Sequence, residues 1–281
     1  MNAKEQLDFI RDMVNEATAA HWEDVGLVRR LNSAQERVAL RVAMTAGQWL
    51  VKSAALTPVA SIITLPVDCS KPLYLEETST GEPIDWLGSV THRRVSRGIG
   101  AAVESGALEA YPLQATLEVN RASYVTGVTL WYQRRVPKLH TGDAAGAALE
   151  SLTLAADANR VYLVDYYTGM VLEQYNAAKA TATYVTFRSA ISAYTAAGVC
   201  TVTGTPTNAY AYGMISVLPE ETHLLMCYMA AADALLKPSA TIDEKAVDRV
   251  RADKNDIMRD VWQWLESRVV AGERVQIGEE Y

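Results

Sequence analysis

Leu31-Asn32-Ser33-Ala34-Gln35-Glu36-Arg37 and Leu218-Pro219-Glu220-Glu221 are the two stretches that decide how this chain folds. The first lies inside a run where Leu27, Leu31, Ala34, Val38 and Val42 recur at helical spacing, so a helix that Asp24 can cap reaches roughly to Thr45. The second launches an apolar helix about 150 residues after a β-like stretch that closes with Leu65-Pro66-Val67-Asp68. Pro219 suits a first helical position, and Glu220 and Glu221 sit where the helix dipole favours negative charge. Leu224, Leu225, Tyr228, Ala231, Ala232, Leu235 and Leu236 then form a broad apolar face. Two further helices flank these. Asn2 with Glu5 reads as a capping box for residues 2–18, with Leu7, Ile10, Val14 and Ala17 facing inward. Thr241 with Glu244 opens a last helix bearing Val247, Val250, Ile257, Val261, Trp264 and Leu265, and Gly272 closes it.

The middle of the chain has a different texture. Residues 59–65 are short and β-branched, 71–76 make a second strand with Pro72 at a sheet edge, and 84–95 read as a short helix. Residues 114–119 and 125–132 alternate as strands do. The run 160–174 reads as a hairpin, Val161-Tyr162-Leu163-Val164 against Met170-Val171-Leu172, turning near Thr168-Gly169. Residues 181–207 hold eight threonines and one charge, Arg188, which marks half-buried strands. The expected fold class is therefore α+β: a helical bundle formed by the N- and C-terminal helices, with a β-rich middle insertion. The segments are 1–55 (N-terminal helices), 56–137 (β-rich region), 138–213 (threonine-rich insertion), 214–272 (C-terminal helices) and 273–281 (an exposed arm).

Composition narrows the function. A net charge of −7 disfavours wrapping nucleic acid, which needs clustered Lys and Arg at the phosphates. No window approaches the roughly 18–20 apolar residues of a membrane span, and Met1 to Gln6 lacks the apolar core of a secretory signal. Cys69, Cys200 and Cys227 are widely spaced with no CxxC, as expected for buried thiols in a reducing compartment.

A search for chemistry finds little. His21, His92, His140 and His223 show no HExxH spacing, so no metal ligands are assigned, and His223 reads as a satisfied cap or core residue. Gly98-Ile99-Gly100 lacks the third glycine and the preceding strand of a phosphate loop. No catalytic, cofactor or metal residue is assigned, and the chain is not expected to be an enzyme. Two features bear on contacts instead. Arg30, Arg37 and Arg41 share a helix edge with two readings: a solvated stripe, or pairing with acidic groups of a neighbouring copy. His92-Arg93-Arg94 with Arg97 is a basic cluster that reads as a surface loop, or as one facing DNA or a partner's acidic rim. Tyrosine outnumbers phenylalanine 14 to 2, which suits surfaces buried on one side and wet on the other.

In this arrangement the chain resembles the head-to-tail connector adaptor proteins of tailed bacteriophages. The resemblance rests on Leu31-Asn32-Ser33-Ala34-Gln35, on Leu65-Pro66-Val67-Asp68, on Trp131-Tyr132-Gln133-Arg134-Arg135-Val136-Pro137 and on Leu218-Pro219-Glu220-Glu221. It covers about 1–137 and 214–270, and 141–213 departs from the compact members. It implies a virion protein of the neck, assembled in the host cytoplasm as a ring of about twelve copies beneath the portal. The partners implied are the portal, a tail or neck protein, and genome DNA passing through the lumen without being read. It also implies that the terminal arm, Glu273, Arg274, Val275, Gln276, Ile277, Glu279, Glu280 and Tyr281, docks on the portal. The other readings are a stopper or tail-tube subunit of the same machinery, and a carboxylate-based hydrolase acting through the β region.

Overall fold

The computed structural model describes residues 1–15, 22–59, 62–86, 109–113, 116–119, 127–236 and 244–268. Its contacts divide the chain into two compact units, residues 1–49 with 136–281, and residues 50–135.

In the first unit, helix α1 (Ala3–Met13) starts at Asn2, whose side-chain oxygen accepts from the backbone N–H of Lys4 and Glu5 while the Glu5 carboxylate accepts from the N–H of Asn2. This is the expected capping box. Helix α2 (Asp24–Thr45) buries Leu27, Val28, Leu31, Asn32, Ala34, Gln35, Val38 and Val42. Glu23 occupies its N-cap position without a side-chain bond. Asp24 is spent elsewhere: it pairs with Arg11 and Lys179. Helix α3 (Glu221–Leu235) is the most enclosed and packs on α1, on α2 and on α4 (Glu244–Arg268).

The strands of this unit form two four-stranded antiparallel sheets. One has β8 (Thr141–Asp143), β11 (Val171–Tyr175), β12 (Val185–Ala190) and β15 (Ala211–Ile215) in the order β12-β11-β15-β8. The other has β9 (Gly146–Ala148), β10 (Ser151–Thr153), β13 (Ala193–Tyr194) and β14 (Val199–Thr201) in the order β13-β14-β10-β9.

The second unit holds β1 (Val51–Leu56), β3 (Cys69–Glu77) and β7 (Val128–Arg134) as an antiparallel sheet ordered β1-β7-β3, so Pro72 does lie on an edge strand. Its other sheet contains β2 (Ile62–Thr64), β6 (Thr116–Val119), β5 (Glu109–Leu113) and β4 (Asp85–Trp86), antiparallel except for the short β4–β5 pair. Ile63, Leu75, Ile84, Leu117, Val128, Leu130 and Tyr132 close its core.

The fold class expected from the sequence needs correction. The protein is β-rich and is not a helical bundle carrying a threaded-out insertion: four sheets dominate, and residues 136–217 fold in the same unit as the helices. The reason lies in β15, where Ala211, Tyr212, Gly213 and Met214 are all buried, as in a strand covered on both faces. One cover is α1. A Cβ on Gly213 would sit 2.5 Å from Asn2 Oδ1 and 2.7 Å from the Lys4 nitrogen, so only glycine lets helix and sheet meet this closely. Asn2 Nδ2 then donates to Glu173 Oε2 and to Tyr175 Oη, both at 2.7 Å, fastening the helix start to β11.

Two smaller expectations also fail. No hairpin spans 160–174, because Val161 to Gly169 turns back on itself and β11 pairs with β12 and β15. The segment from residue 84 begins as strand β4, and the rest of its expected helix lies outside the described residues.

Candidate functional site

The residues that carry the resemblance are engaged with neighbouring backbone or with one another. On α2, Asn32 and Gln35 are buried and face the chain just after β7. Asn32 Nδ2 donates to the Leu139 carbonyl at 3.1 Å, and the Leu139 N–H donates to Asn32 Oδ1 at 2.6 Å. Gln35 Nε2 donates to the Pro137 carbonyl at 2.8 Å. A segment that belongs to no sheet thus has its polar groups satisfied by one helix face, as buried backbone requires.

In the second unit these contacts centre on Asp68. Its carboxylate accepts from Tyr132 Oη at 2.7 Å and from Lys52 Nζ at 2.9 Å, and its carbonyl accepts from the Arg135 N–H at 2.6 Å. Burial, followed by the bond to Asp68, pushes the Tyr132 hydroxyl far above the usual tyrosine range, so it is a permanent donor. At the start of α3, Thr222 Oγ1 donates to the Pro219 carbonyl at 2.7 Å, and buried His223 lies 3.2 Å from the Leu218 carbonyl.

One constellation resembles catalytic apparatus and escaped the sequence reading. His140 Nε2 stands 3.0 Å from Asp157 Oδ1, and His140 Nδ1 stands 2.7 Å from Tyr212 Oη. Because Tyr212 Oη accepts from the Ala155 N–H at 2.9 Å, its own proton is directed at Nδ1. The imidazole tautomer with its proton on Nε2 then satisfies Asp157. Burial raises the Tyr212 hydroxyl well above its ordinary value. Burial alone would raise the Asp157 carboxyl too, but His140 and the Asn159 and Arg160 amides outweigh it and hold it below the usual range. His140 and Tyr212 are both 0% exposed, whereas the Asp157 side chain is 26% exposed, so the relay ties the chain before β8 to β15 and reaches solvent only at its carboxylate. No short motif could reveal it, since its members lie 17 and 72 residues apart.

The expected contact residues fall as follows. Arg37 pairs with Asp233 of α3, and Arg41 lies 3.6 Å from Glu266 of α4 and over the Trp262 ring. Arg30 donates to the Gly26 carbonyl at 3.1 Å and covers Trp22. All three arginines therefore have partners within the chain. The cluster His92, Arg93, Arg94 and Arg97 and the arm Glu273, Arg274, Val275, Gln276, Ile277, Glu279, Glu280 and Tyr281 lie outside the described residues. Cys200 and Cys227 are buried free thiols, each pushed up to about 12 by burial, while Cys69 is half-buried.

An open cleft of about 230 Å³ runs beside α2, lined by Arg29, Ser33, Glu36, Lys138 and Asn159. Among the described residues no three His, Cys, Asp or Glu side chains converge as metal ligands, and no helix is long and apolar enough to cross a membrane. Comparison with protein-family models and with curated proteins finds no match.

Proposed function

We propose that this chain is a structural subunit of a tailed-phage neck, an adaptor that assembles as a ring on the portal and continues the DNA channel towards the tail. The observation that carries this reading is the role of the residues behind the resemblance. Asn32 and Gln35 hold backbone through their side chains, Thr222 fastens the Pro219 turn, and the Asp68 carboxylate is spent on Tyr132 and Lys52, so each of these groups is engaged within the fold. The geometry suits a subunit whose conformation must be fixed before it meets its neighbours.

Low-resolution imaging of the particle neck with the chain tagged at a surface loop tests the proposal. A ring of tags directly below the portal is the expected image. Tags on the tail tube, on the capsid lattice, or nowhere in the particle would remove the adaptor reading.

A further inference from the structure

Three consecutive large apolar side chains, Tyr162, Leu163 and Val164, stand 55%, 55% and 57% exposed on a turn. That turn is held from beneath. The Val161 N–H donates to Tyr167 Oη at 3.1 Å, and Tyr194 Oη donates to the Val161 carbonyl at 2.7 Å. The Asp165 N–H donates to the Tyr194 carbonyl and the Gly169 N–H to the Ile191 carbonyl, both at 2.8 Å. Tyr167 and Tyr194 are buried edge to face beneath it. The backbone is therefore fixed while its apolar tip is left in water. Fixing such a tip in advance cuts the ordering cost of a contact.

A second apolar surface lies on α2. Its outward stripe reads Arg29, Ser33, Glu36, Leu40 and Met44, at spacings of a helix face, and Leu40 and Met44 are 65% and 73% exposed. Asn159, at the root of the tip, donates to the Val25 carbonyl at 3.0 Å, in the first turn of α2. Leu40 and Met44 follow about 22–28 Å further along that helix. The two surfaces are unlike, and neither covers the other. They are also complementary in charge: Arg160 beside the tip, its guanidinium 4.6 Å from the Tyr162 ring, has no carboxylate partner among the described residues, and Glu36 beside Leu40 has no cationic one.

We infer that the Tyr162-Leu163-Val164 tip of one copy docks on the Leu40–Met44 face of the next copy. Unlike surfaces on one rigid unit give a head-to-tail contact, which closes into a ring when the rotation permits. This deepens the adaptor reading and rests on it only for the ring's purpose.

Sedimentation velocity on the full chain, on Leu163→Asp, on Met44→Asp and on their equimolar mixture tests the contact. Wild type is expected to gain mass with concentration, while each variant needs at least about tenfold more protein to do so. The mixture should stop at dimers, since one intact tip and one intact face remain, on different copies. Variants that assemble like wild type, or a mixture that grows beyond dimers, overturn the contact and leave the adaptor reading standing. So does a Leu163→Asp chain that self-assembles normally but no longer binds purified portal rings. Should wild type stay monomeric up to about a millimolar, copies carrying Leu163→Cys and Met44→Cys, both with Cys69→Ser, are mixed under copper–phenanthroline oxidation. A disulfide between the two variants supports the contact, and its absence refutes it. The adaptor reading fails separately, if portal rings never recruit the wild-type chain.

Discussion

Replacing Asn32 with alanine probes the lock that most directly links sequence to fold. The side chain makes both hydrogen bonds to Leu139, whose residue is 0% exposed, so the substitution strands one buried N–H and one buried C=O. Each orphaned group costs about 1–3 kcal/mol, and the better helix propensity of alanine returns only about 0.5 kcal/mol. A net loss of about 3 kcal/mol follows, which for a unit of this size lowers the melting midpoint by about 6–12 °C. Gln35→Leu supplies the internal control. It strands the Pro137 carbonyl but also removes Gln35 Oε1, a buried acceptor that has no partner. Its cost should stay near 1 kcal/mol. Urea titration gives the two stabilities, and amide exchange at Leu139 gives the local effect, which should be large only for Asn32→Ala. An Asn32→Ala protein within about 0.5 kcal/mol of wild type, or a Gln35→Leu protein that suffers more, would refute the reasoning.

Gly213→Ala should unseat α1 from β15, because the added methyl meets Asn2 Oδ1 and the Lys4 nitrogen; a loss of about 1–3 kcal/mol with increased exchange of the α1 amides is the expected result in thermal and exchange measurements. Acid should weaken the fold through Asp157 and Asp24. Burial pushes both carboxyls upward, but His140 at the first, and Lys179 with Arg11 at the second, prevail, so both fold with lowered values. The unfolded chain then binds protons first, and the stability they contribute is present above their unfolded value near 3.8 and is lost as pH falls through the folded one. Asp157→Asn should flatten that slope in urea midpoints measured across this range. His223, lowered by burial, acts in the same sense from its ordinary 6.5 downward, so His223→Gln should flatten the shallower decline that begins there. Removing Glu273 to Tyr281 should leave the melting curve unchanged and abolish binding to purified portal rings, as read by co-sedimentation.

Much of the helical part was legible because its signals are local. The 27, 31, 34, 38, 42 spacing lies within one helix and the Asn2–Glu5 box within one turn, and both elements form, although α1 ends at Met13 and not at residue 18. What was illegible depends on distant partners. β15 shows no alternation because α1 covers its second face, so helix and sheet were assigned to separate bodies. Val161-Tyr162-Leu163-Val164 has a strand's composition, yet hydroxyls of Tyr167 and Tyr194 take the place of a neighbouring strand. Asp165 adopts a left-handed φ of 58° there, which reverses the chain. Asp24 looked like a cap because its position allowed it, but two cations from other elements claimed the carboxylate. The motif helix was conspicuous in the sequence, whereas the Leu139 it grips is 107 residues away.

Native mass measurement of the purified chain, alone and after mixing with portal rings, asks whether this fold assembles with copies of itself on a portal. The portal should gain a discrete complement of chains equal to its own subunit number. A portal that leaves the mixture with its mass unchanged, beside a chain that remains single, would contradict the adaptor reading.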